Sequence, residues 1–209
     1  MANIKVSLEE VVREGERVIS NANELISLYN ALVQTTENLT MIWSGQSAAD
    51  FATTLINVTP VFSGAINSIG EMGLNLKKAA SNYSKADGSE IPYNDNWSDH
   101  PAVDLYTESA FKNDGRITVD SDIIRDAAST YGTKAASIST VIGELQRSKE
   151  MIAQIWEGSA ADAYCSVFAQ AIGVVNNVMN ATANMSGVLK QDAANMDAAE
   201  AANSVADGI

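Results

Sequence analysis

Cysteine is nearly missing from this chain: Cys165 stands alone among 209 residues, so neither an intramolecular disulfide nor a thiolate cage around a metal can form. Histidine is as scarce, with His100 the single instance. That shortage rules out a carboxylate-bridged di-iron centre, which needs Glu-x-x-His pairs on two helices. It also leaves Cys165 and His100 without the supporting motif of a nucleophilic triad. No catalytic residue, metal ligand or cofactor site is expected, and the chain reads as a non-enzyme. Basic residues are few, 13 against 26 acids for a net charge of −13, so phosphate backbones are repelled and nucleic acid is excluded as a partner. Strong membrane binding is not expected either, because no basic amphipathic face is present. No stretch approaches 18 uninterrupted apolar residues, the length of a membrane span. The opening residues lack the basic and apolar regions of a Sec signal peptide, so none is expected. Proline occurs only at Pro60, Pro92 and Pro101, which leaves room for long helices.

What is present is an apolar fraction of 46%, enough for a packed core, and an internal repeat. Ile42-Trp43-Ser44-Gly45 recurs as Ile155-Trp156-Glu157-Gly158, 113 positions later, and the same offset pairs Ile4–Ser7 with Ile117–Asp120, Phe51 with Tyr164, Leu76 with Leu189 and Asp87 with Glu200. Ahead of each Trp-X-Gly, apolar residues recur at spacings of four and three, from Val11 to Trp43 and from Ile124 to Trp156, with Lys149 the charged exception. After it the rhythm resumes from Ala48 to Tyr83 and from Ala161 to Met196, interrupted by Asp192. Such seams belong to helices that pack at a shallow angle. The chain is therefore expected to be all-α, with four long helices.

Local chemistry sets the expected boundaries. Ser7 and Asp120 cap the first helices of the two copies. Ser47-Ala-Ala-Asp50 and Ser159-Ala-Ala-Asp162 have the form of capping boxes for the second helices. Gly45 and Gly158 are expected as left-handed stops of the helices before them. The short turns make each pair antiparallel. The division is then 1–87, first hairpin; 88–116, connecting insert; and 117–209, second hairpin. In the insert, Ser89–Trp97 has loop composition, and His100-Pro101 through Phe111 is expected to form a turn or two of helix. Fully extended, the insert is long enough to run back along a helix of about 54 Å.

Two long helices joined at Trp-X-Gly, with Tyr-x-x-x-Asp/Glu at the far end of the second, resemble the WXG-hundred family. Trp43-Ser-Gly45, Trp156-Glu-Gly158 and Tyr83-Ser-Lys-Ala-Asp87 carry the resemblance, which covers both copies and leaves the insert out. It implies two antiparallel helical hairpins packed as an elongated four-helix bundle, a single-chain imitation of the family's dimer and therefore a monomer. It implies export by type VII secretion, with the chain cytoplasmic before export and secreted without a cleaved signal peptide. The implied partner is the secretion ATPase or another helical secretion component. The Tyr-x-x-x-acid tail beside the partner hairpin's Trp-X-Gly turn would be the export signal, which sets Tyr83 and Asp87 near Trp156 and Gly158. At the other end Trp43 and Gly45 would lie beside Met196 and Glu200, a degenerate counterpart without the tyrosine. The alternative reading is an intracellular helical scaffold or chaperone-like protein that is never exported.

Overall fold

The computed structural model describes residues 7–104, 106 and 120–206, apart from the side chains of Asp87 and of 204–206. The paired stretches 4–6 and 117–119, and residues 107–116 of the insert, lie outside the described residues. Four helices and no strand occur among the described residues: α1 (Leu8–Thr40), α2 (Gln46–Asp87), α3 (Ser121–Ile155) and α4 (Ser159–Ala206). The chain is all-α, and α2 continues without a break through Pro60.

Two compact units are present, and they cut across the repeat. The first gathers Met1–Ser27, Val61–Val103 and Ile138–Asn177; the second gathers Leu28–Pro60, Asp104–Ser137 and Val178–Ile209. Each unit is thus a four-helix bundle built from one half of every helix, with both hairpins contributing.

In the first unit the α1 seam residues Val11, Val18 and Leu25 are buried, and Ile19 and Ile26 form a second buried row beside them. A helix that meets more than one neighbour needs this wider stripe. Burying each such side chain stabilises the fold by about 1.5–3 kcal/mol. The backbones of α1 and α2 come into near contact at Gly15 and Gly73: a Cβ built on either would lie 2.7 Å from the carbonyl oxygen of the other. Only glycine permits that approach.

Toward the end of α2 the buried face departs from the seam. Ala79 and Tyr83 give way to Lys77, Ala80, Ser81 and Ser84, because the first part of the insert lies along that side. The Ser81 hydroxyl donates to the Ile91 carbonyl, and Ile91 N–H donates to the Ser84 hydroxyl, both at 3.1 Å. The Lys77 ammonium, 2% exposed, donates to the side-chain oxygens of Asn94 at 2.6 Å and Asn96 at 2.7 Å. Trp97 is buried over Gly70, where a Cβ would sit 2.1 Å from the indole. His100 stacks on Trp97 with ring centroids 3.9 Å apart. The residues that follow it, 101–104, are not helical, contrary to expectation. His100 is turned back by its hydrogen bond to the Trp97 carbonyl, so it ends this strap and opens no helix. The rest of that expected helix, apart from Tyr106, lies outside the described residues.

In the second unit the core contains two tyrosines whose hydroxyls are paired with threonines. Tyr29 on α1 bonds Thr59 on α2, and Tyr131 on α3 bonds Thr36 on α1. Burial pushes the Tyr29 phenol up to about 12, with the Thr59 hydrogen bond opposing. Leaving either hydroxyl unpaired would cost roughly 1–3 kcal/mol, so these pairs fix which helices meet. Tyr131–Thr36 joins the two hairpins, while the Ser186 hydroxyl, donating to the Ala128 carbonyl at 2.7 Å, ties α4 to α3.

Candidate functional site

The two Trp-X-Gly turns are built alike. After α1, the backbone N–H groups of Ile42 and Trp43 both donate to the Leu39 carbonyl. Gly45 then takes φ 109°, and Ala49 N–H donates to the Gly45 carbonyl at 3.1 Å. After α3, Trp156 N–H donates to the Ile152 carbonyl, Gly158 takes φ 111°, and Asp162 N–H donates to the Gly158 carbonyl. Both glycines sit directly before the second helix of their hairpin. They are its entry residues, not the C-terminal stops of the helix before, and Ser47 and Ser159 already lie within the first turn. The capping boxes expected there do not form. Gln46 instead donates from its side chain to the Asp50 carboxylate at 2.8 Å, and Ser47 lines a cleft together with Asp192. The start of α3 follows expectation, with the Asp120 carboxylate accepting from Asp122 N–H at 2.9 Å, and α1 opens directly after Ser7, whose backbone carbonyl accepts from Val11 N–H.

The surroundings of the turns differ. Trp43 is 3% exposed, packed edge-on against Phe51 at 5.6 Å, which in turn meets Tyr131 at 5.2 Å. All three rings belong to the second unit. A cleft of about 880 Å³ opens beside this turn, lined by Trp43, Ser44, Gly45, Asp192, Met196 and Glu200 among others. The degenerate tail and the first turn therefore share one cleft. Asp192, from the α4 seam, forms part of its wall: burial raises its carboxyl above the usual range, and the Ser47 hydroxyl partly opposes this. Nearby, Arg125 pairs with Asp122 and Asp197. Hydrogen bonding from Ser121 and Arg125 holds the Asp197 carboxyl below its ordinary value.

At the second turn Trp156 is only half-buried. It leans on Tyr164 at 5.9 Å, and Tyr164 on Phe168 at 5.7 Å. Burial raises the Tyr164 phenol. Tyr83 falls in the same compact unit as this turn and is 51% exposed. Asp87 is the last residue of α2, followed by Gly88 at φ 79°; its side chain lies outside the described residues. Sequence reasoning gave no sign of Lys77 or of the Trp97–Gly70 contact. The repeat held a signal for the first, since Lys77 and Lys190 are 113 positions apart.

Among the described residues no group of three or more His, Cys, Asp or Glu is placed to hold a metal ion, and no helix is long and apolar enough to cross a membrane. The family model described as proteins of 100 residues with WXG matches twice, over residues 3–88 and 116–201. The chain belongs to the WXG100 family. It is a tandem WXG100 protein, with one match on each hairpin, and membership associates it with type VII secretion. Comparison with curated proteins and with solved structures gave no match.

Proposed function

We propose that this tandem WXG100 protein is a type VII substrate or co-secreted adaptor that supplies both hairpins of a WXG100 pair in one polypeptide. Residues 1–87 and 117–209 act as the two hairpins and 88–116 as their connector. The protein is a monomer, cytoplasmic until it is exported without a cleaved signal peptide, and it performs no catalysis. The observation that carries this reading is the composition of the compact units: each draws on all four helices, so the faces that separate hairpins would leave bare are covered within the chain.

Tyr83 and Asp87 carry the export signal in this proposal, and the secretion ATPase is the partner that reads it. Tyr83 supports the assignment by its exposure, since a half-exposed ring on a helix that already has a core face is available to a receptor. Met196 and Glu200, which line the cleft at the Trp43 turn, form the weaker counterpart. The test is detection of the intact chain in culture medium, free of lysis markers, in cells with and without the secretion ATPase. Tyr83→Ala and Asp87→Ala are expected to abolish export while changing stability by no more than about 0.5 kcal/mol. Glu200→Ala is expected to leave export intact. Loss of export only for Glu200→Ala would move the signal to the other end, and no ATPase-dependent export of the parent chain would favour the intracellular scaffold.

A further inference from the structure

The two hairpins are copies, yet among the described residues only the first has its outer groove filled. On the first hairpin the strap 89–100 lies along α2, its Asn94 and Asn96 oxygens on Lys77 and its Trp97 over Gly70. Glu16 on α1 adds a carboxylate 3.8 Å from the same ammonium. The equivalent positions on the second hairpin, 113 residues on, are Lys190 for Lys77, Ser129 for Glu16, Ala183 for Gly70 and Gly132 for Ile19. There Lys190 and Ala183 are exposed. A groove of about 580 Å³ runs along this face, lined on α3 by Ala128, Ser129, Gly132 and Thr133 and flanked by Arg125 and Lys190.

We infer that this open groove docks an extended segment of a partner protein bearing Asn or Asp side chains two residues apart, with Lys190 donating to them as Lys77 donates to Asn94 and Asn96. Charge supports that occupant: Arg125 is already paired with Asp122 and Asp197, which leaves Lys190 to supply the positive charge that lines the groove, on a chain whose net charge of −13 repels acidic peptides elsewhere. Exchanging Glu16 for Ser129 removes the resident carboxylate, so an incoming acceptor has one competitor fewer at Lys190 than at Lys77. Shape sets the difference from the strap. The Ala183 methyl occupies the point where Gly70 admits an indole, and Gly132, on the groove's lining, stands at the position of Ile19. The partner's segment therefore lacks a tryptophan at that position and places a smaller side chain over Gly132. The chain's own strap is not the occupant, because it is already held through Lys77 and Trp97.

The probe is the acetylated and amidated peptide of residues 89–96, Ser-Glu-Ile-Pro-Tyr-Asn-Asp-Asn, titrated into the intact ¹⁵N-labelled protein. Saturable amide shifts are expected along Ala128–Thr133 and around Lys190. Lys190→Gln should weaken binding about tenfold, the loss of one charge-assisted hydrogen-bonding centre. A peptide with both Asn94 and Asn96 replaced by Leu should weaken it similarly. Lys78→Gln, an exposed cation on α2 outside the groove, should change it by less than about twofold. Unchanged melting of Lys190→Gln keeps folding out of the comparison. The inference is overturned by an absence of binding, by equal losses for Lys78→Gln and Lys190→Gln, or by shifts confined to Gly70–Ser84, which would mean that the peptide only displaces the strap.

Discussion

The Trp43 and Trp156 turns share a motif, a backbone path and a glycine with nearly equal φ, yet one indole is closed off and the other is half open. The difference lies in what faces them. Trp43 has Phe51 against it, backed in turn by Tyr131, and the tail of α4 across its cleft, and that helix continues to Ala206 where its copy stops at Asp87. The stop is local: Gly88 takes a positive φ that ends α2, and the equivalent residue of α4 is Ala201, which continues the helix. A repeated motif therefore specifies the turn, while burial of its side chain is specified by the neighbouring segment.

The largest effect should come from the indoles. Trp43→Ala is expected to cost roughly 3–5 kcal/mol, as for a fully buried aromatic. Trp156→Ala should cost about half as much, because part of its ring is already in water. Denaturant melts giving equal losses would remove the contrast between the two ends. The glycines should behave oppositely to the indoles. Gly45→Ala and Gly158→Ala force a side chain into the same unfavourable φ region, at about 1–3 kcal/mol each, and nothing lies within 4 Å of either added Cβ. Matching losses would show that the backbone of the two turns is equivalent even though their surroundings differ.

The smallest effect should be electrostatic and confined to the Trp43 end. The Asp192 carboxyl is raised in the folded protein, so the native state holds its proton more tightly than the unfolded chain does. The corresponding stability is present at low pH and is lost as pH rises from the ordinary aspartate range through the raised value. Asp197, whose carboxyl is lowered, contributes with the opposite sign, being lost as pH falls. Urea midpoints of Asp192→Asn and the parent, compared across pH 3 to 6, isolate the first contribution. The variant's advantage should grow with pH, and a gap that stays constant would contradict the raised carboxyl.

Much of this fold is legible in the sequence because helical periodicity is a long-range signal. Every seam position from Val11 to Trp43 is buried, and the 113-residue offset matches the two family spans. The failures are short-range. Ser47 has the form of a cap, but Gly45, two residues before it, adopts a conformation that opens the helix two residues earlier. Tyr83 continues the seam's spacing, yet its face is outermost because the strap buries the other side of α2. Periodicity also cannot show that a loop will dock: Lys77 has the composition of a surface residue, and Asn94 and Asn96, brought over it by the strap, help the Glu16 carboxylate make its burial tolerable. The export residues are the least legible, since a recognition surface is defined by its reader.

Consider the strap in the order of synthesis. Its partners lie close by in the chain, with Asn94 and Asn96 separated from Lys77 by 17 and 19 positions, so the loops closed on docking are short and form quickly. A nascent chain emerging at about 5–20 residues per second presents Trp97 and the Asn pair before any residue of α3. The strap can therefore seat itself on α2 before the second hairpin has emerged from the ribosome. By the time α3 and α4 emerge, that side of the first hairpin is already occupied, which directs the late helices to the faces that remain.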